Sequence, residues 1–251
     1  MLITALMFFT RLPLWRWFSV PSENFQRVIY YWPFAGWITA SVMSLTLLVT
    51  SAFLPLSVAI VLTIISRVIL TGALHEDGLG DFLDGFGGGH SKEKILAIMK
   101  DSHAGTYAIL GLILYFLLTY NIMLNIEPKV LILFVLIADP FCKMLSSFIT
   151  ARLPYARTVD TSKIQAIYSQ PTTKETTISL FFGLLPLLIL IWLLPSFVYI
   201  FAIITPIALF FILTQWMQHK IQGYTGDCAG ALFLLLEISM LLTFLAIYTV
   251  I

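Results

Sequence analysis

Apolar residues run along this chain in stretches too long for a soluble fold, and short polar connections interrupt them. Seven such stretches reach or approach the roughly 20 residues that cross a bilayer as a helix. They cover positions 28–53, 55–74, 105–125, 130–151, 177–194, 196–217 and 229–251. The links at 53–55, 125–129 and 194–196 are very short, whereas those at 75–104, 152–176 and 218–228 are longer and polar. The pattern predicts an all-α integral membrane protein with about seven transmembrane helices, built as one membrane-embedded domain over 1–251. No internal repeat interrupts it.

Smaller elements follow from local signals. Residues 1–10 are apolar but too short to span, and they lead into Arg11-Leu12-Pro13-Leu14-Trp15-Arg16-Trp17. Arginine and tryptophan at this spacing predict an interfacial or re-entrant helix held at headgroup depth. No leading basic residues or small-residue cleavage site mark a secretory signal. Ser91 precedes a short run, 92–100, in which Ile95, Leu96, Ile98 and Met99 form an apolar stripe. That predicts a short amphipathic helix on the membrane surface with Ser91 as its N-cap. Thr172 with Glu175 three residues on reads as a capping box entering the fifth span.

Composition agrees with the pattern. Of 251 residues, 59% are hydrophobic and only 11% charged, and the mean hydropathy is +0.96. A net charge of +1 gives no electrostatic attraction to nucleic acid. Cys142 and Cys228 lie in unrelated segments and read as small packing residues. Charge placement orients the fold. Arg11, Arg16, Arg27, Lys92, Lys94, Lys100, Arg152, Arg157, Lys163, Lys174 and Lys220 all fall at one end of the predicted spans, and Lys129 alone falls at the other. The positive-inside rule makes the end with the long connections cytoplasmic, and the family resemblance set out below implies the cytoplasmic (inner) membrane of a bacterium or archaeon.

The candidate chemistry gathers at that end. The connection His75-Glu76-Asp77-Gly78-Leu79-Gly80-Asp81-Phe82-Leu83-Asp84-Gly85 holds four carboxylates within nine residues. If it is helical, Asp77, Asp81 and Asp84 share one face. Like charges so close repel strongly near lipid, so a hard divalent cation is the expected counter-ion. Carboxylates without a soft ligand suit Mg²⁺ or Mn²⁺ better than zinc. The alternative is a solvated acidic loop. Gly87-Gly88-Gly89 is expected to end any helix there. His75 can donate to a phosphate or hold a helix end.

Lys100-Asp101-Ser102-His103 stands at the mouth of the third span. Lys100, Ser102 and His103 are candidates for phosphate contacts, with ordinary capping as the plainer role. Gly223-Tyr224-Thr225-Gly226-Asp227 enters the last span, where Thr225, Gly226 and Asp227 suit an anion and metal cradle. Arg157, like Arg152, can grip a phosphate or merely anchor the chain. Asp139 and Lys143, four apart in the fourth span, read as a neutralising pair. Arg67 and Glu237 also lie within spans and must face protein or water.

These motifs, taken with Thr10-Arg11-Leu12-Pro13 and Gly105-Thr106-Tyr107, resemble those of the cobalamin synthase family in order and spacing over nearly the whole chain. That family comprises the adenosylcobinamide-GDP ribazoletransferases. The resemblance implies a membrane-embedded, Mg²⁺-dependent enzyme that joins adenosylcobinamide-GDP to α-ribazole or its 5′-phosphate and releases GMP. It implies Asp77, Asp81, Asp84 and Asp227 as metal ligands, with Asp84 or Glu76 taking the hydroxyl proton. Lys100 and Arg157 would offset charge on the departing GMP, and His75, Ser102, His103, Thr225 and Gly226 would bind substrate. His103 stands where the family pattern has arginine, so charge there depends on protonation. A CDP-alcohol-type phosphotransferase and an ion-coupled transporter are the rival readings. The acids cluster at one face rather than at mid-membrane, which favours an enzyme. Self-association and membership of a larger biosynthetic assembly stay open.

Overall fold

The computed structural model describes residues 1–157, 168–193 and 197–250, with side chains 189–197 left aside. Among these residues it is helical, and a single isolated bridge between Tyr155 and Tyr224 is the one piece of β pairing. The helices are α1 (Leu2–Phe9), α2 (Trp32–Thr50), α3 (Leu56–Thr71), α4 (Leu74–Gly88), α5 (Lys92–Ile98) and α6 (Thr106–Leu124). Then come α7 (Pro128–Ser147), α8 (Ile149–Arg152), α9 (Thr173–Leu193), α10 (Ile204–Ile221) and α11 (Gly226–Tyr248). Five stretches are long and apolar enough to cross a membrane: Val28–Thr50, Thr106–Leu124, Pro128–Arg152, Val198–Ile221 and Gly226–Tyr248. Each falls within a few residues of a predicted span, and α9 occupies the predicted fifth.

The second predicted span departs from expectation. It stops at Thr71, about 24 Å long at 1.5 Å per residue, and the chain then turns through 90° into α4. Gly72 makes the turn at φ +66°, and Ala73 follows at φ +58°. Gly72 is needed twice over, because a Cβ there would sit 2.1 Å from Arg11 Nε. Ala73 bears a left-handed conformation that costs an L-residue about 1–2 kcal/mol. Arg11 N–H donates to Leu70 O at 2.6 Å, so the Thr10-Arg11-Leu12-Pro13 run is tied to the end of α3. Trp15 and Trp17 beyond it stay exposed, as expected of interfacial anchors.

The connection 75–104 therefore carries the acidic segment as a helix rather than a loop. Gly89 closes α4 in extended backbone, as the glycine triplet predicts. Leu79, Phe82 and Phe86 on α4 are buried, and Phe82 and Phe86 pack on Trp216 of α10 at 5.7 and 4.9 Å.

The predicted caps are in place. Ser91 Oγ accepts from Lys94 N–H at 3.3 Å. Thr172 N–H donates to Glu175 Oε2 at 2.8 Å while Glu175 N–H donates to Thr172 Oγ1 at 3.4 Å.

Among the described residues, five of the buried charged side chains form two paired groups inside the bundle. Lys143 Nζ meets Asp139 Oδ1 at 2.6 Å, one turn apart on α7, and donates to Thr39 Oγ1 of α2 at 2.7 Å. The second group centres on Arg67 of α3, which is 2% exposed. Its guanidinium binds Glu237 of α11, donates to Tyr115 Oη of α6 at 2.8 Å, and stands 3.8 Å from Glu76 of α4. One side chain thus links four helices. Burying such charges unpaired would cost several kcal/mol each, so opposite-sign pairing is what permits them. Cys142 and Cys228 are buried free thiols, consistent with packing.

Candidate functional site

Residues 77 and 227 are far apart in sequence, yet α4 and the start of α11 touch. A Cβ on Gly78 would lie 3.0 Å from the backbone oxygen of Asp227, so glycine allows the two helices to approach this closely. Thr225 caps α11 through its hydroxyl, which accepts from Cys228 N–H at 3.2 Å. The next residues of that first turn are Gly226 and Asp227. The isolated bridge brings a third segment alongside: Ala156 N–H donates to Tyr224 O at 2.8 Å, and Tyr224 N–H donates to Pro154 O at 3.0 Å. Arg157 follows immediately. It is buried, and its guanidinium donates to Leu96 O on α5 at 3.1 Å.

These elements enclose a cavity of about 160 Å³. Asp77, Asp227 and Arg157 line it, together with Leu74, Gly226 and Gly230. Its remaining wall is mostly aromatic, a composition not foreseen from sequence: Phe8 and Phe9 of α1, Trp32, Tyr155 and Tyr168, with Ile29 and Ala229 between them. The N-terminal helix therefore does line the site, beyond its anchoring role. His75 also lines the cavity but is 1% exposed, packed 5.2 Å from Trp32 and 5.1 Å from Phe233. Burial raises the pKa of Tyr168 and Tyr224, so both are neutral phenols at physiological pH. A larger apolar groove of about 580 Å³ between α3 and α6 is lined by aliphatic and aromatic side chains, with no acid or base other than the Tyr120 phenol.

The other expected residues fall elsewhere along α4. Asp81 lies one turn beyond Asp77 and is half-buried. Asp84, two turns on, caps α6: its Oδ2 accepts from Gly105 N–H at 2.6 Å and its Oδ1 from Ala108 N–H at 2.9 Å. The carboxylate expected as ligand and base is thus engaged by both oxygens in holding a helix end. Glu76, the other expected base, points into the bundle toward Arg67. Thr225 is 1% exposed and engaged in capping. Lys100, Ser102 and His103 are exposed and do not line the cavity. They sit where α5 meets α6, near Asp84, with His103 Nδ1 2.7 Å from Asp101 Oδ1. Of the three motifs, then, the first and third meet at the cavity, with Arg157 beside them. The second joins only through Asp84. Among the described residues no three His, Cys, Asp or Glu side chains form a ready-made metal cage.

The profile of one family, described as cobalamin-5-phosphate synthase, matches residues 1–245. The chain belongs to that family. Among curated proteins it is 34% identical over 247 residues to an adenosylcobinamide-GDP ribazoletransferase of Vibrio parahaemolyticus, covering 98% of this chain and 92% of the relative. It is 33% identical over 231 residues to the protein of that name from Leptospira interrogans, covering 89% and 86%. A Shewanella frigidimarina relative of the same name is 32% identical over 248 residues, covering 97% and 93%. No solved structure matches the chain. In this member of the family, the acidic α4 and the Gly226-Asp227 turn are thus brought to one cavity.

Proposed function

We propose that adenosylcobinamide-GDP and α-ribazole are joined at the cavity between α1, α4 and α11. Family membership makes the chain a transferase of cobalamin biosynthesis that completes the nucleotide loop. The observation that carries the proposal is the meeting of Asp77, Asp227 and Arg157 on one accessible cavity.

The ribazole 5′-hydroxyl oxygen forms a bond to the phosphorus attached to the cobinamide. The bridging P–O bond of the pyrophosphate breaks, and GMP leaves with that electron pair. The hydroxyl proton goes to water at the open edge of the cavity, since neither expected base faces it: Asp84 caps α6 and Glu76 turns toward Arg67. Arg157 offsets the charge that builds on GMP, and its hydrogen bond to Leu96 O fixes where that positive charge sits.

Asp77 and Asp227 would hold Mg²⁺. The donor set supports this: two carboxylates on one cavity and no thiol lining it. Mg²⁺ commonly takes one or two protein carboxylates and completes its shell with water and substrate phosphates, so a full protein cage is not required. When bound, the ion supplies charge neutralisation at the pyrophosphate. We place this edge on the cytoplasmic side, because the basic connections share it.

Purified protein in detergent should release GMP only when adenosylcobinamide-GDP, α-ribazole and Mg²⁺ are all present. GMP release without ribazole, or transfer to a lipid alcohol, would overturn the reading.

A further inference from the structure

The outer face of α10 changes character part-way along. Its exposed side chains Ile204, Ile207, Phe211 and Ile212 are apolar, whereas Gln215, Gln218 and His219 beyond them are polar. The apolar stretch begins at Val198 as 3-10 helix and continues as α10. At about 2.0 Å per 3-10 residue and 1.5 Å per α-helical residue, Thr214 comes about 28 Å along it. That is close to the roughly 30 Å of a bilayer's hydrocarbon core. Composition and length both put the lipid border beside Thr214.

Arg152, the last residue of α8, is held at that border. Its Nε donates to Thr214 Oγ1 at 2.7 Å, and its guanidinium lies 4.9 Å from the centre of the Phe211 ring. The Thr214 hydroxyl donates in turn to Phe210 O at 2.7 Å, so its own orientation is set. Arg152 is exposed, and among the described residues no carboxylate pairs with it. Nor does any hydrogen bond among them reach its two terminal NH₂ groups. The side chain lines no part of the cavity, so it is not aimed at the pyrophosphate. Gln215 and Gln218 follow Phe211 and Thr214 by four residues each, which places them on the same face one turn nearer water. His219 and Lys220 occupy the last turn of α10, and the helix carries no acid.

We infer that Arg152, Phe211 and Thr214, with Gln215 and Gln218 above them, form a site for the phosphate of an anionic phospholipid such as phosphatidylglycerol. A guanidinium presents parallel N–H donors that match two phosphate oxygens. Here one edge is fixed by Thr214 and one face by Phe211, and the remaining edge is left for the lipid. The basic turn above favours a headgroup with net negative charge. The acyl chains then lie along Ile207 and Ile204. The site is separate from the cavity and does not depend on the proposed reaction.

Full-length protein in detergent is titrated with phosphatidylglycerol or phosphatidylcholine, and bound lipid is counted by native mass spectrometry. Wild type should bind one phosphatidylglycerol about fivefold more tightly than phosphatidylcholine. Arg152→Gln should bring the two lipids within about twofold of each other. Phe211→Ala removes the stacked ring at a half-exposed position and should weaken phosphatidylglycerol binding about twofold. It decides the matter should Arg152→Gln not fold. Inorganic phosphate alone should fail to displace the lipid. Displacement would make this a site for free phosphate and overturn the inference. Equal binding of both lipids by wild type, or undiminished phosphatidylglycerol binding in either folded variant, would overturn it too.

Discussion

Two polar regions of this molecule use the same residue types to different ends. In the bundle, Arg67 faces Glu76 and Glu237, and Lys143 faces Asp139. Each charge there has an opposite one within 4 Å, although Glu76, 3.8 Å from Arg67, makes no hydrogen bond, and Tyr115 and Thr39 take further hydrogen bonds. At the cavity, two carboxylates and one arginine share an edge that a ligand can reach. Interior charges hold helices together; the edge charges line a cavity, where the proposed function puts a cation and phosphates. An acidic residue is therefore assigned by what faces it. Glu76 and Asp77 are chain neighbours with opposite duties because α4 turns one inward and the other out.

The sharpest way to break this contrast is at the edge. Asp77→Asn or Asp227→Asn should lower GMP release at least about a hundredfold, with thermal melting in detergent close to that of wild type. Near-normal turnover by either variant would remove it from the site. Arg67→Met should do the reverse, costing about 3–5 kcal/mol of stability by stranding Glu76 and Glu237. Pairing it with Glu237→Leu should recover part of that loss in the same melting assay, and no recovery would argue against the pair. Asp84→Ala should cost about 1–2 kcal/mol through the lost α6 cap. If Asp84→Asn retains stability yet loses all turnover, Asp84 acts in the chemistry after all. Thr225→Ala should cost about 1 kcal/mol and shift the α11 start enough to raise KM modestly.

The smallest effect belongs to His103. Its hydrogen bonds hold the Asp101 carboxyl below its usual pKa, so the contact is present at neutral pH and lost as pH falls through that lowered value. Both side chains are exposed. His103→Arg should therefore leave melting and turnover nearly unchanged, and a collapse in expression would reveal a packing role.

The spans were legible because lipid imposes its own length on apolar runs, and five of them fall almost where hydropathy puts them. The caps at Ser91 and Thr172 were legible because each is local. The bend after Thr71 was not: apolar residues continue to Leu74, and only the pairing of Gly72 with Arg11 shows why the helix stops. Asp84 looked like its neighbours in sequence, and its role emerges only where α6 begins beside it. Arg67 and Glu237 were recognisable as charges needing partners, but 170 residues separate the two. The aromatic wall carried no signal, since phenylalanine and tryptophan are common throughout such a chain.

The right angle between α3 and α4 has a consequence for how so bulky a cofactor precursor is handled. A crossbar laid over the end of α3 turns Asp77 sideways to the axis of that helix and outward, while Glu76 beside it is buried. Under the proposed function, the corrin macrocycle would stay outside while its pyrophosphate tether alone reaches the crossbar.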